Sequence, residues 1–483
     1  MGSSEIFTIA KTVAMKFTFT ILLVALTFKI SLGQTLNPEL LKSDLAIVKN
    51  ALQARHPEMY RHTTHEHFDS LYQSIESQFN KPMTIAQFYT AVSPLISSLK
   101  CGHTKWLLSG KDYYYPFDTI NLFPLKLYFT KGKAFVISHY LNQDVPVLSE
   151  VIAINGISIE NLITRLFKSL SFGDGFSTGG KYYELNNYFP GILSTYIGTS
   201  AEYTIEYINP EQKTETKTFA GVSYDAIKSF NDKRNKPEEV PYSFSLVDNK
   251  LGWMDINRFY SFKGEPDYDK FLKKSFAELK DKGIENLVID LRGNEGGNED
   301  WGIELYKFLA RNPFRYYESL SVCKMRKANF KEQLPFLVRV LKPFIGPGRK
   351  SFKLLVHKWL KTQKPKKDAF RGKVYLLLDG QSFSVTTELA SKAKSDGRVV
   401  IIGQESAGGY ALNTSGLFSI VTLPHSKVEL GIPLFGFNMG NNPTKNPMDR
   451  GILPDYEVEM SPADIANGSD PVRDFAIKLA GTR

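Results

Sequence analysis

An α/β fold with a helical N-terminal region and a β-rich middle is predicted by three features of the 483-residue sequence. Short apolar runs alternate with amphipathic stretches from Leu251 to Gly403, the pattern of strands and helices in one sheet-centred core. Before Leu99 the apolar residues recur at intervals of three and four, which marks helices with one buried face. Between about Tyr115 and Val222 they come in short runs separated by turn residues, as strands do. A chain of this length exceeds one ordinary hydrophobic core, so about two or three domains are expected.

The elements follow in order. Lys11 and Lys16 precede the apolar run 17–28, and Ser31-Leu32-Gly33 supplies small residues, so residues 1–33 read as a signal peptide with Gln34 first in the mature chain. The run is shorter than the roughly 20 residues a membrane span needs, and no stable span is expected in the mature protein. Residues 34–118 form the helical region. Leu41, Leu45, Val48 and Leu52 share a face. Asn37-Pro38 opens that helix with a capping residue and then Pro at the first helical position, and His56-Pro57 closes it. Phe68, Leu71 and Ile75 mark a second helix and Phe88, Val92 and Ile96 a third. In 119–235, residues 125–138 read as a hairpin turning at Lys131-Gly132, and 151–159 as a strand with an Asn155-Gly156 turn leading into a helix. The charged, Pro-containing stretch 231–240 reads as a linker. In 236–465, strands are expected at 251–256, 286–292, 374–378 and 399–403, with helices at 268–282, 301–310 and 386–395; 466–483 is a tail.

The net charge is +10, but residues 322–373 carry 16 Lys and Arg against Glu332 and Asp368, leaving the rest of the chain at about −4. The basic character belongs to one helical insertion, which argues against a nucleic-acid binder. Two cysteines, Cys101 and Cys323, permit one disulfide at most. No cofactor is called for, and no metal: His62, His65 and His67 lack a metal-ligand motif and read as a polar helix start.

Three segments could carry chemistry. In Asp379-Gly-Gln-Ser-Phe-Ser384-Val-Thr-Thr-Glu388 an apolar strand runs into a tight turn and a helix begins directly after Ser384. That places a hydroxyl at the positive helix end and leaves the Val385 amide able to donate to an oxyanion. Ser is also a favoured helix cap, and capping is the competing reading. In Asp290-Leu-Arg-Gly-Asn-Glu-Gly-Gly-Asn a second apolar strand ends in a glycine turn. Its Gly296 or Gly297 amide could be a second oxyanion donor; a phosphate loop would need a Gly-Lys-Ser/Thr that does not follow. Asp290 and Arg292 could form a structural ion pair. In Lys100-Cys-Gly-His103-Thr, His103 could be the base a seryl nucleophile needs, or a structural histidine. Cys101 as a thiol nucleophile lacks an oxyanion-type turn.

Together these segments resemble peptidase family S41, which contains the C-terminal-processing peptidases and the tricorn core protease. Gly403-Gln-Glu-Ser-Ala-Gly-Gly and Asp449-Arg-Gly-Ile-Leu-Pro-Asp resemble two further signatures in the same order. The resemblance spans most of residues 36–460. It implies a ClpP/crotonase-like catalytic core, and for 119–235 a divergent PDZ-like domain, with Glu150-Val-Ile-Ala-Ile-Asn-Gly in the corresponding place. The processing peptidases pair their Ser with a Lys after the glycine-rich signature; here Gly409 and Tyr410 stand there, so the sequence is more similar to the tricorn-like branch. That branch implies Ser384 as nucleophile, His103 as base, Gly296 and Val385 amides for the oxyanion, and Asp449 as the acidic partner of the His, with Glu405 as a rival. The expected function is an exported serine peptidase acting on peptide or protein substrates. The alternative is a non-catalytic protein binding peptides or apolar ligands on the same scaffold.

Overall fold

A computed structural model describes residues 35–234, 240–323, 328–341 and 360–481. The expected signal peptide, 324–327 and 342–359 of the basic segment, and 235–239 of the expected linker lie outside the described residues. The start of that linker is instead the end of a helix, Tyr224–Arg234. Thr35–Arg483 clusters as one compact unit.

At its centre is a six-stranded sheet in the order Tyr242–Leu246, Leu251–Ile256, Asn286–Asp290, Lys373–Leu378, Val400–Gly403, Tyr456–Glu457. The first pair is antiparallel and the rest are parallel. Successive side chains point to opposite faces, and a parallel sheet is covered on both, which is why these strands are near-continuous apolar runs. Met254, Leu287, Ile289 and Leu376 join the core shared with helices Tyr268–Asp281, Glu299–Leu309 and Val385–Ser395. Trp253, Val288, Tyr375 and Leu377 meet Val472, Ala476 and Ala480 of the C-terminal helix Pro471–Gly481. Each fully buried aliphatic side chain here contributes about 1.5–3 kcal/mol. The parallel strands all end on one edge, and the turns after Asp290, Leu378 and Gly403 gather there, the usual place for a site in such sheets.

A second sheet escaped the sequence reading. Leu412–Thr422 and Val428–Asn438 form a long antiparallel hairpin, interrupted between Ser415 and Phe418 where Gly416 takes a φ of +80°. Val428–Asn438 is buried at nearly every position, so it shows no period-two alternation, and Gly431, Pro433 and Gly436 mask it further. It also pairs with Lys105–Leu108. This pairing joins the segment that carries His103 to the second sheet.

The N-terminal helices lie where expected. Pro38–Arg55 starts at Asn37 with Pro38 in its first turn and is closed by His56, but the Asn37 side chain makes no capping bond. His65–Gln78 is capped by the Thr64 side chain, and Ile85–Ser97 begins with a Thr84/Gln87 capping box. The β-rich region is an antiparallel sheet of Leu125–Thr130, Lys133–His139, Glu150–Ile154, Glu202–Ile208 and Thr214–Ala220. Asn155 and Gly156 both take positive φ, 48° and 75°, as a tight two-residue turn demands. Helices Ile159–Phe167 and Gly179–Tyr196 pack on this sheet. The second was not predicted: its Gly-Gly start, Pro190 and a kink at Tyr188 break the helical signal.

Two buried carboxylates give the fold a pH dependence. Glu388, on the helix after Ser384, accepts from Tyr317 Oη at 2.5 Å and from Asn413 Nδ2; burial pushes it up to about 7. Burial likewise pushes Glu184 up to about 7. Both folded-state values lie above that of an unfolded carboxylate, so the folded state binds more protons and stability is lost as pH rises through about 7. The urea midpoint is expected to be higher at about pH 6.5 than at about pH 8.5, by about 0.8 kcal/mol per group in free energy. The Glu184→Gln/Glu388→Gln variant should flatten that slope. An unchanged slope would mean that neither carboxylate is charged only at a cost in the folded state.

Candidate active site

The strand Asn286–Asp290 delivers its chain into the turn Leu291–Gly297, which is held from three sides. Arg292 binds Asp290 and Asp470 in two-pronged pairs at 2.6–3.2 Å, so Asp290 and Arg292 form the structural ion pair weighed above. Asp379 accepts from the Gly293 amide at 3.0 Å and from the Ser382 amide, joining this turn to the one that bears Ser384. Asn294 is fully buried; its Nδ2 donates to the Ile256 carbonyl and its Oδ1 accepts the Gly296 amide at 2.8 Å.

Ser384 follows the strand Lys373–Leu378 and precedes the helix Val385–Ser395 with φ 56° and ψ −126°. This conformation is strained for a residue with a Cβ, at a cost of about 1–3 kcal/mol, and such strain collects at functional turns. Ser384 holds the N-cap position, yet its side chain makes no capping bond. Its Oγ lies instead 3.3 Å from His103 Nε2. Turn and helix geometry leave the Val385 amide without a hydrogen-bond acceptor among the described residues.

His103 sits just before the strand Lys105–Leu108. Its ring stacks on Phe383, with centroids 4.4 Å apart and planes at 26°, and Phe172 packs behind Phe383 at 5.0 Å. A Cβ at Gly102 would meet the Phe383 ring at 2.7 Å, so the approach of His103 to the Ser384 turn needs glycine there. Burial lowers the His103 pKa to about 3, with the Lys105 charge acting in the same sense. The imidazole is therefore neutral near pH 7 and able to take a proton from Ser384. Its Nδ1 is buried and has no hydrogen-bond partner.

The structure brings Ser384, His103, Val385 and Gly296 together and leaves the two acidic candidates elsewhere. Asp449 has an exposed side chain whose charge acts on His62 and Arg450; its backbone carbonyl accepts from the Phe176 amide. Glu405 is engaged by Arg450 at 2.6 and 2.8 Å. Neither carboxylate bonds to His103. The Gly296 amide, expected to serve the oxyanion, is already given to Asn294, whereas the Gly297 amide has no acceptor among the described residues. Cys101 and Cys323 are both buried, and burial pushes the Cys101 thiol up to about 11, which disfavours thiolate chemistry. His65 stacks on Tyr60. Among the described residues no three His, Cys, Asp or Glu side chains converge as a metal site would require.

One residue at the site was missed. Asp174, 6% exposed, lies in Phe172-Gly-Asp-Gly-Phe. It accepts the Gly102 amide at 2.9 Å and the Gly409 amide at 3.2 Å. The flanking glycines, Gly173 and Gly175, both with positive φ, were the available signal.

Residues 250–458 match the family model Peptidase family S41. No curated protein matches the chain. Among solved structures, mature CPAF aligns with a TM-score of 0.59 at 12% identity, covering 92% of this chain and 96% of its own. CPAF complexed with lactacystin gives 0.60 at 12% identity over 92% and 98%. A serine-to-alanine mutant of CPAF gives 0.62 at 12% identity over 92% and 96%. At that identity the likeness shows the fold. The family match over residues 250–458 supports a serine-type peptidase.

Proposed function

We propose that the protein is an exported peptidase of the tricorn-like branch that hydrolyses peptide bonds through an acyl-enzyme on Ser384, with His103 as general base. The observation that carries this reading is the 3.3 Å approach of His103 Nε2 to Ser384 Oγ, in place of a capping bond. Ser384 Oγ attacks the peptide carbonyl carbon as His103 Nε2 takes its proton. The Val385 amide holds the developing oxyanion, and the Gly297 amide is the second unpaired donor beside the turn. His103 then passes its proton to the leaving amine, and water releases the acyl group by the same route in reverse. The antiparallel sheet of residues 125–220 is the PDZ-like element and would hold peptide ends. Residues 1–33 direct export.

A second reading, a binding protein on the same scaffold, draws on the unpartnered His103 Nδ1 and the pKa of about 3. A base that weak gives little driving force for proton transfer. A fluorophosphonate probe separates the two. Wild type should label, with Gln34 at its N-terminus, and both Ser384→Ala and His103→Ala should not. Loss in Ser384→Ala alone would keep the nucleophile and discard His103. A folded wild type that does not label would favour the binding protein.

A further inference from the structure

We propose that Asp174 is a positioning residue for the base: by accepting the amides of Gly102 and Gly409 it fastens the His103 loop to the turn that braces Ser384. The inference rests on the peptidase reading above and adds to it the device that keeps the two reacting side chains together.

The carboxylate spans two segments that share no element. On one side Gly102 immediately precedes His103. On the other, Gly409 ends a turn whose Ala407 and Gly408 amides both donate to the Ser382 carbonyl, two residues before Ser384. The backbone around Asp174 repeats the connection. Its own amide donates to the Ala407 carbonyl at 2.8 Å, the Gly175 amide donates to the Lys100 carbonyl at 2.9 Å, and Ser177 Oγ donates to the Ser406 carbonyl at 2.8 Å. Residues 172–178 thus form a strap between base loop and nucleophile turn, and Asp174 is the member that touches both. Without an acceptor, the buried Gly102 amide would be left unpaired, which proteins rarely tolerate.

The strap responds to pH. Burial raises Asp174 to about 6, against the two amides and the charges of Arg61 and Lys105. A small cavity beside it is lined also by His56, Glu58, His62, Lys100 and Cys101. Burial lowers His56 to about 3 and His62 to about 4, so both are neutral where Asp174 titrates. A protonated carboxyl turns one of its two acceptor oxygens into a donor facing an N–H, so one amide loses its partner as pH falls through about 6. His103, at about 3, does not titrate there.

The test compares wild type, Asp174→Asn and Ser177→Ala by the rate of fluorophosphonate labelling, kcat and KM across pH, and by amide hydrogen exchange over residues 99–104. In wild type the labelling rate should fall as pH drops through about 6. Asp174→Asn offers one acceptor at every pH. Its kcat should fall by about 10²-fold with KM little changed, its acid limb near pH 6 should vanish, and Gly102 should lose protection. Ser177→Ala weakens the same strap without touching the base loop and should keep the limb. An acid limb that persists in Asp174→Asn, with protection of residues 99–104 unchanged, would overturn the proposal. If wild type neither labels nor hydrolyses peptide, the peptidase reading fails separately. Exchange still decides the fastening: protection lost below pH 6 and in Asp174→Asn supports it, and protection indifferent to both sinks it.

Discussion

Combining Ser384→Ala with His103→Ala is expected to cost no more than Ser384→Ala alone. In an acyl-transfer site every proton the base moves belongs to a step on the nucleophile's acyl group, and a missing nucleophile leaves nothing for it to do. Each single variant should lower kcat by about 10⁴–10⁶-fold, and the double variant should match the slower single within a few fold. The residual rate would come from the Val385 amide and from substrate binding. The 3.3 Å contact and the stacking of His103 on Phe383 are the reasons to expect a unit and not two independent contributors. The measurement is steady-state peptide hydrolysis by the four proteins, with thermal melts alongside. Ala is no less strained than Ser at φ 56°, so Tm should move little in Ser384→Ala. A further 10³-fold loss in the double variant would mean that His103 acts on something other than Ser384.

What the sequence could show of this site depended on how local the cause was. The strand–turn–helix around Ser384 was legible because a buried strand, a tight turn and a helix start are all encoded within about fifteen residues. The glycine turn at 291–297 was legible for the same reason. His103 was legible only through its resemblance, since nothing beside it marks it as more than a lone histidine. What actually brings it to Ser384 is long-range: the pairing of Lys105–Leu108 with Val428–Gly431, and the Asp174 bridge. The first lay in a pairing whose longer strand, Val428–Asn438, is hidden by burial on both faces. The second lay in a segment with no periodicity. The commitment of the Gly296 amide to Asn294, and of Glu405 to Arg450, are likewise facts of side-chain placement. A motif lists which residues are present, and it does not say which of their hydrogen bonds are already taken.

The glycine turn and the Ser384 turn touch at Gly296, and Gly296→Ala should show how close that contact must be. A Cβ there would stand 2.7 Å from Ser384 Cβ, 2.9 Å from the Val385 nitrogen and 3.0 Å from the Phe383 carbonyl oxygen. Two of these three are backbone atoms, which cannot swing aside as a flexible side chain can. The residue also takes φ +99°, a region that L side chains avoid. The substitution therefore adds strain of about 1–3 kcal/mol and pushes Ser384 away from His103. Stability should fall by about 2–4 kcal/mol, and labelling of Ser384 by at least about 10²-fold, since displacement of about an ångström costs that much in a positioned reaction. Gly110→Ala separates the two causes. Gly110 has φ +71° with nothing within 4 Å of its Cβ position, so alanine there meets the backbone penalty alone, about 1 kcal/mol, and should label as wild type does. If Gly296→Ala loses stability but labels within a few fold of wild type, the Ser384 turn tolerates displacement and the base must follow it. If labelling collapses while Gly110→Ala is active, the distance between the two turns sets the reactivity of Ser384.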